Sequence, residues 1–240
     1  PEGEPLTMDV YRPPTVPARL PLVLMVHGGP VPKLGAKNMG VFTSYGRLLA
    51  ASGFAAAAFD HRFLAAARLE DAAGDVASAI AHVREHADEL GIDDDRLALW
   101  VFSGGGPFLS LALRGAPRYV RAALAFYAAL DIREKAPGST AEIGDDVRRA
   151  FSPAHHVRAE GGRTAPLFVA RAGLDHPFLN ASIDRFVADA LAANAEIDVM
   201  NHATGRHGFD FLDDDARSRE IIARAIEFLK GRLLPSAPGS

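Results

Sequence analysis

The stretch LALWVFSGGGPFLS, residues 97–110, joins a hydrophobic run to three consecutive glycines through a single serine, Ser103. A continuous apolar run of this kind is typical of a strand buried on both faces of a sheet. Pro107 follows the glycines, and proline is tolerated in the first turn of a helix because its missing N–H would have no partner there. The stretch therefore predicts a buried strand, a tight turn at Ser103 and a helix.

Apolar runs and helical patterns alternate along the rest of the chain. Such alternation is typical of an α/β fold, in which a mostly parallel sheet is covered by helices on both faces. Ligands bind such sheets at the carboxyl ends of the strands. We expect strands within residues 22–26, 54–60, 96–102, 122–128, 165–173 and 196–200, and helices within 42–53, 68–90, 105–114, 179–193 and 216–234.

The length and composition fit one globular domain. The chain has 240 residues, of which 48% are hydrophobic and 23% charged, enough apolar material for a buried core. Residues 130–164 are less regular and long for a simple connection, so they are a candidate small lid or crossover. Residues 235–240, PSAPGS, are expected to form a flexible tail.

Charge and composition also limit the partners. The net charge of -4 does not favour nucleic acid or an anionic membrane as a partner. The absence of cysteine excludes disulfides, thiolate metal sites and a cysteine nucleophile. No apolar run approaches the roughly 20 residues that span a bilayer. The first residues, PEGEPLTMDV, do not resemble a signal peptide, so we expect a cytoplasmic location unless a leader has been removed.

Ser103 has three interpretations on this stretch alone. A phosphate-binding loop is the weakest, because no lysine follows the glycines and SGGGPF lacks the third glycine of a dinucleotide fingerprint. A structural turn and an exposed nucleophile both remain open. Gly104 and Gly105 favour a tight turn that projects the hydroxyl. The following helix N-terminus also favours nearby negative charge, as an oxyanion intermediate would carry.

A serine nucleophile needs a base, and the base is usually oriented by a carboxylate. Two loops at the carboxyl ends of later strands supply such groups. The first carries Asp175 in GLDHP, and the second carries His202 and His207 in NHATGRHGFD. We favour His207 because its loop is long enough to reach Ser103, whereas His202 follows the strand almost directly.

The other candidates have simpler interpretations. His155 and His156 lie in the irregular segment without the carboxylate spacing of a metal site. Asp175 is favoured over the other acidic residues because it alone follows a strand end immediately. The alternatives are Asp184 and Asp189 on a helical face, Asp198 within a strand, and Asp210 and Asp213 to Asp215 as acids at the start of a helix.

The early loop MVHGGPVP, residues 25–32, offers backbone N–H groups near the same sheet edge. An oxyanion hole needs such donors aimed at developing charge. Pro30 has no N–H, so Gly28 and Gly29 are the donors of this loop, and we expect Gly29 to act with Gly104. A tight turn after the first buried strand is the alternative interpretation.

Taken together, these residues resemble the α/β-hydrolase fold over nearly the whole chain. The resemblance rests on the order Ser103, Asp175, His207, on HGGP after an early strand, and on the small residues that flank the serine. GLDHP and RHGFD are similar to the dienelactone-hydrolase-like and acetyl-esterase-like branches, and HGGP is also similar to prolyl-oligopeptidase-type domains. The resemblance implies ester hydrolysis through an acyl-enzyme, with Ser103 as nucleophile, His207 as base and Asp175 as its orienting group, and it implies no metal or organic cofactor.

Two departures from the family pattern stand out. The usual elbow reads Gly-x-Ser-x-Gly, but Val101 occupies the first glycine position, which puts the fine geometry of the turn in question. Dienelactone hydrolases proper use a cysteine nucleophile, which this chain lacks, so their substrate class is not carried over.

We therefore expect a serine carboxylesterase that acts on small, short-acyl esters. The short segment before the first buried strand leaves no room for a large cap, so the site should be open. Phe102, Phe108, Phe178 and Phe209 lie near the site residues in sequence and are candidates for a substrate pocket, with core packing as the alternative. A peptidase or amidase with the same triad and a non-catalytic binding protein are the other hypotheses, and the oligomeric state is open, a homodimer included.

Overall fold

The computed structural model describes residues 5–14, 19–135 and 143–234. Its seven strands form one sheet, in which β2 to β7 are parallel and the edge strand β1 is antiparallel to β3. The order across the sheet is β1-β3-β2-β4-β5-β6-β7. The strands are β1 (Met8–Tyr11), β2 (Leu20–Val26), β3 (Ala55–Phe59), β4 (Ile92–Phe102), β5 (Val120–Phe126), β6 (Leu167–Ala172) and β7 (Ile197–His202).

Helices cover both faces of this sheet. The described α-helices are α1 (Gly40–Ala51), α2 (Leu69–Glu85), α3 (Ala87–Leu90), α4 (Ser110–Leu113), α5 (Asp145–Ala150), α6 (Pro153–Ala159), α7 (Pro177–Ala192), α8 (Phe209–Leu212) and α9 (Ala216–Leu233). Helices α1 and α9 pack on one face, and α2, α4, α6 and α7 pack on the other. An apolar cluster lies on each face of the sheet, and the side chains of β2 point alternately into the two clusters. All residues of β2 are buried, so helices have to cover both faces.

The predicted mostly parallel sheet with helices on both faces is confirmed. Each predicted strand corresponds to an observed one, but the sequence analysis missed β1. This edge strand is short and only partly buried, so its sequence lacks the apolar run that marks the central strands.

The helix predicted within residues 105–114 is mostly not an α-helix, so this prediction is corrected. Residues Ser103–Leu109 form a 3-10 helix, and only the four residues of α4 are α-helical. Pro107 lies inside the 3-10 segment and cannot donate a backbone hydrogen bond. The candidate lid at 130–164 contains α5 and α6, but its residues 136–142 and the tail at 235–240 lie outside the described residues.

In the described part of the chain, no helix is both long enough and apolar enough to cross a membrane.

Val101 fits the fold without displacing the turn into which β4 runs. Its side chain is fully buried and belongs to the cluster that also contains Phe108 on the following segment. Its neighbours across the sheet are Val26 on β2 and Ala125 on β5. The small Ala125 leaves space beside the valine methyl groups, so valine at the position of the usual glycine contributes to the core.

We expect Val101→Ala to lower the free energy of unfolding by about 2 kcal/mol, because it removes buried methyl groups and leaves a cavity. Val199→Ala on the edge strand β7 is the matched control, since Val199 is 43% exposed, and it should cost at most about 0.5 kcal/mol. Urea unfolding of both variants measures the difference. Equal losses in the two variants would contradict the assigned packing of Val101.

Candidate active site

Ser103 occupies a strained turn between β4 and the 3-10 helix. Its φ of 53° lies in the left-handed region, which non-glycine residues seldom adopt. Gly104 allows the turn to close, because a Cβ on it would lie 1.8 Å from the carbonyl oxygen of Gly29. Gly105 allows the segment to pack on β2, because its Cβ would lie 2.6 Å from the carbonyl oxygen of His27. The hydroxyl of Ser103 is therefore presented at the carboxyl edge of the sheet.

The three predicted triad residues meet at this edge. The Ser103 Oγ lies 2.8 Å from His207 Nε2, and His207 Nδ1 lies 2.7 Å from Asp175 Oδ2. Asp175 follows β6 and its side chain is 3% exposed, whereas the side chain of His207, between β7 and α8, is 42% exposed. A carboxylate can only accept, so Nδ1–H donates to Asp175 and leaves Nε2 free to accept the serine proton.

The competing histidines have other partners. His202 is buried at the end of β7, and its Nε2 lies 3.1 Å from both Asp215 Oδ2 and Ser218 Oγ. His155 and His156 lie on α6, where His156 Nε2 bonds to the carbonyl of Ala150. None of the three reaches Ser103.

The competing aspartates have other positions or partners: Asp198 lies on β7, Asp213 pairs with Arg206 and Asp214 with Arg219. Asp184 pairs with Arg171, and Asp189 pairs with Arg133 and Arg158. Asp215 caps the N-terminus of α9 by accepting from the Ser218 N–H, as expected of an acid at the start of a helix. In the described residues, no group of three or more His, Cys, Asp or Glu side chains is arranged to hold a metal ion.

The loop after β2 brings Gly28 and Gly29 beside Ser103. A Cβ on Gly28 would lie 2.8 Å from the Ser103 Cβ, so the loop and the turn are in direct contact. Neither Gly28 nor Gly29 donates its backbone N–H to any other described residue. Gly104 is the second residue of its helical segment, where N–H groups have no partner within the helix. These three N–H groups are therefore free to donate to a ligand.

Two stacked histidines, His27 and His61, stabilise this loop. The rings of His27 and His61 lie 3.6 Å apart and nearly parallel. Burial lowers the pKa of both, that of His61 to about 3, so both rings are neutral and can stack without charge repulsion. His27 Nδ1–H donates to the carbonyl of Gly28 at 2.6 Å, which fixes the direction of the peptide that leads into Gly29.

Of the four phenylalanines expected near a substrate pocket, two line cavities beside the site and two are buried in the core. Phe102 lines a cavity of about 250 Å³ that also contains Ser103 and His207, and Phe178 lines a second one beside Gly29 and Gly104. Phe108 and Phe209 line neither cavity and are fully buried. Phe108 packs edge-on against His61 and Phe63, and Phe209 stacks on Phe126, so both belong to the core.

A partly buried acid with two phenol partners, Asp210, lies next to His207 and was not predicted from the sequence. Asp210 accepts hydrogen bonds from Tyr127 at 2.7 Å and from Tyr45 at 2.8 Å. The ring of Tyr127 packs against the ring of His207, with 4.7 Å between the centroids. Tyr127 also has a left-handed φ of 40° directly after β5, which marks a constrained position. Asp210 was interpreted as an acid at the start of a helix, and no local pattern revealed that two distant tyrosines converge on it.

Burial raises the pKa of Asp210, although the hydrogen bonds from Tyr127 and Tyr45 oppose this shift. Burial also raises the pKa of both tyrosines well above the ordinary value. The phenols therefore remain donors to Asp210 at neutral pH. They hold Asp210, in the first turn of α8 and three residues after His207, against α1 and the end of β5.

The fold is that of the α/β-hydrolases, and Ser103, His207 and Asp175 form a hydrogen-bonded series at the carboxyl edge of its sheet. The solved esterase 2 of the Planctomycetes species Thermogutta terrifontis in its butyrate-bound form is 23% identical to this chain, with a TM-score of 0.78 over 97% of this chain and 92% of that chain. The same esterase phosphorylated by paraoxon is also 23% identical, with a TM-score of 0.78 over 96% and 91% of the two chains. The predicted α/β-hydrolase fold is therefore confirmed.

A family model described as BD-FAE matches residues 8–117, which is less than half of the 240 residues. A search of curated proteins finds no match.

We expect Asp210 to make stability depend on pH. Its folded pKa lies above the ordinary 3.8, so the folded state binds this proton more tightly than the unfolded chain does. The corresponding stabilisation is present below 3.8 and is lost as pH rises through the raised pKa. The free energy of unfolding of the wild type, relative to Asp210→Asn, should fall with rising pH in this window and then level off.

Urea unfolding of both proteins at a series of pH values checks this expectation. Asp131→Asn is a control with the opposite sign. Burial alone would raise the pKa of Asp131, but hydrogen bonds from Arg133 and Arg185 lower it to about 2. Between that value and 3.8 the wild type should gain stability over Asp131→Asn as pH rises. A difference between wild type and Asp210→Asn that does not vary with pH would contradict the assigned environment of Asp210.

Proposed function

We propose that this protein is a serine carboxylesterase that hydrolyses small, short-acyl esters through an acyl-enzyme. The observation that carries the proposal is the continuous hydrogen-bonded series from Ser103 through His207 to Asp175, with distances of 2.8 and 2.7 Å. Both distances lie within the range for direct proton transfer between a nucleophile, a base and an orienting group. The likeness to an esterase with bound butyrate supports the same assignment.

The reaction proceeds in two halves. In the first, Ser103 Oγ attacks the ester carbonyl carbon while His207 Nε2 takes the hydroxyl proton, and Asp175 stabilises the imidazolium. The tetrahedral oxyanion accepts hydrogen bonds from the N–H groups of Gly29 and Gly104. His207 then donates its proton to the departing alkoxide, which leaves as the alcohol. In the second half, water loses a proton to His207 and attacks the acyl carbon, and His207 then donates that proton to Ser103 Oγ as the bond to the acyl carbon breaks, which releases the acid and restores the serine.

The ester assignment is favoured over two alternatives. A peptidase or amidase would use the same three residues, and a panel of p-nitrophenyl esters and aminoacyl anilides separates the two because an esterase should cleave the anilides poorly. A non-catalytic binding protein would not need an activated serine. The 2.8 Å approach of His207 Nε2 to Ser103 Oγ supports an enzyme. The cytoplasmic location and the homodimer stay predictions from the sequence.

We expect purified protein to hydrolyse p-nitrophenyl acetate and butyrate, and we expect Ser103→Ala to lower kcat by roughly 10⁴-fold or more because the nucleophile is lost. A fluorophosphonate probe followed by peptide mapping should label Ser103. Ser110→Ala is the matched control, since it makes the same chemical change seven residues later at a buried serine outside the proposed triad. If the wild type is neither labelled by the probe nor able to hydrolyse these esters, the assignment as an enzyme is contradicted.

We expect Gly104→Ala to lower kcat by roughly 10²-fold or more, the effect of losing an oxyanion donor. Its Cβ would lie 1.8 Å from the Gly29 carbonyl oxygen, so it would push the two N–H groups apart. Gly74→Ala on α2 is the control, because nothing lies within 4 Å of its added Cβ. Steady-state kinetics with p-nitrophenyl acetate compare the variants, and a Gly104→Ala enzyme with wild-type kcat would rule out the Gly29 and Gly104 pair.

A further inference from the structure

Two cavities lie on either side of the contact between Gly29 and Gly104, and only the larger one is lined by Ser103. The larger, of about 250 Å³, contains both Ser103 and His207. The smaller, of about 140 Å³, is lined by Gly29, Gly104 and Phe178 and not by His207. In the proposed hydrolysis mechanism, the presence of His207 in only one of the two cavities determines which side of the ester each cavity holds.

The alcohol half of an ester has to lie on the side of His207. The tetrahedral intermediate carries the Ser103 oxygen, the oxyanion, the acyl chain and the alkoxy group on one carbon. Only the alkoxy oxygen has to receive a proton from His207 Nε2 as it leaves. The alkoxy group therefore occupies the cavity that contains His207. The acyl chain takes the remaining direction, towards the smaller cavity beside Gly104.

The cavity on the His207 side continues into a long apolar groove. Met39, Val41 and Phe211 line both this cavity and an adjoining groove of about 640 Å³. The groove extends between α1 and α9 to Leu48 and Ile222. Met39 is 47%, Leu48 39% and Phe211 49% exposed. Such a continuous exposed apolar surface is typical of a binding site.

Among the described residues, the polar side chains that line the groove are few: Tyr45 and Asp210, which are hydrogen-bonded to each other, and the exposed Ser44. Asp210 is its one charged lining residue in the described part of the chain, and its two oxygens accept from Tyr45 and Tyr127. A sugar alcohol would leave most of its hydroxyl groups without partners against Met39, Val41 and Phe211, which is unfavourable. The walls instead suit a hydrocarbon chain or ring.

We propose that the preferred substrates are esters of a compact acyl group with a longer, apolar alcohol, which lies along the groove formed by Met39, Val41, Leu48, Phe211 and Ile222. This inference rests on the proposed esterase function and adds the direction in which the ester binds. Phe211 and Met39 are then specificity-determining residues for the alcohol, and the acyl length is limited by the smaller cavity.

Hexyl acetate and ethyl hexanoate test the direction of binding, because they are isomers that differ only in which side of the ester carries the long chain. We expect kcat/KM for hexyl acetate to exceed that for ethyl hexanoate by about tenfold or more, with both esters below their solubility limits. Equal values, or a preference for ethyl hexanoate, would overturn the proposal.

Phe211→Ala tests the assigned groove. We expect the ratio of kcat/KM for hexyl acetate to that for ethyl acetate to fall about tenfold in this variant, because the long alcohol loses far more apolar contact with Phe211 than the short one does. Leu191→Ala is the matched control, since Leu191 is 63% exposed on α7 and lies outside the groove, so the ratio should be retained.

The remaining outcomes are distinct from one another. An unchanged ratio in Phe211→Ala, together with loss of a dimer by light scattering, would assign the apolar surface to a second copy of the chain. An unchanged ratio with a rise in wild-type activity only above the solubility limit would assign it to a lipid–water interface. Either result overturns the proposed groove. Failure to hydrolyse any ester, including p-nitrophenyl acetate, would overturn the esterase function as well.

Discussion

The close approach of two backbone segments, the turn at Ser103 and Gly104 and the loop at Gly28 and Gly29, is the constraint on which the site depends. A side chain on Gly104 would collide with the Gly29 carbonyl, and one on Gly28 would collide with Ser103. The left-handed φ of Ser103 costs on the order of 1–2 kcal/mol. The hydrogen bond from the Ala129 N–H to the Ser103 carbonyl, at 3.0 Å, helps to hold the turn. This strained backbone aims the hydroxyl at His207 and leaves the loop N–H groups facing the same space.

The sheet supplies the rigidity that this strain requires. Strand β4 lies between β2 and β5, so the strand that carries Ser103 is hydrogen-bonded on both sides. Strand β2 carries the glycine loop, which places both halves of the proposed oxyanion site on neighbouring strands. Val101 strengthens this arrangement, because it fills the core beside Ala125 where the usual pattern has a glycine. The tight approach needed for the turn is then provided by Gly104 and Gly105, after the serine, and the residue before it is free to pack.

Much of this could be predicted from the sequence because the signals are local. Strand β2 and the second half of β4 are continuous buried apolar runs. The residues that follow β2, β4, β6 and β7 at the carboxyl edge include Gly28, Ser103, Asp175 and His207. The signals that failed depend on distant residues. Phe108 and Phe209 are close to site residues along the chain, but the side on which each ring packs is decided by His61, Phe63 and Phe126. Tyr45 and Tyr127 both bond to Asp210, from which they are separated by 165 and 83 positions along the chain. No sequence periodicity indicates a contact between residues so far apart.

The two carboxylates around the His207 loop show how environment separates their roles. Asp175 offers an oxygen directly to His207 Nδ1 at 2.7 Å, so in the proposed reaction it is the group that stabilises the imidazolium. Asp210 is only three residues from His207, but both of its oxygens accept from phenols and burial favours its neutral form. It therefore cannot compete for the imidazole, and it anchors the loop through Tyr127 instead. Because Tyr127 also lines the cavity that contains Ser103, the residue that holds Asp210 next to His207 also forms a wall beside the proposed position of the departing alcohol. In the proposed mechanism, proton transfer and the shape of the alcohol site are therefore coupled through the Tyr127 ring.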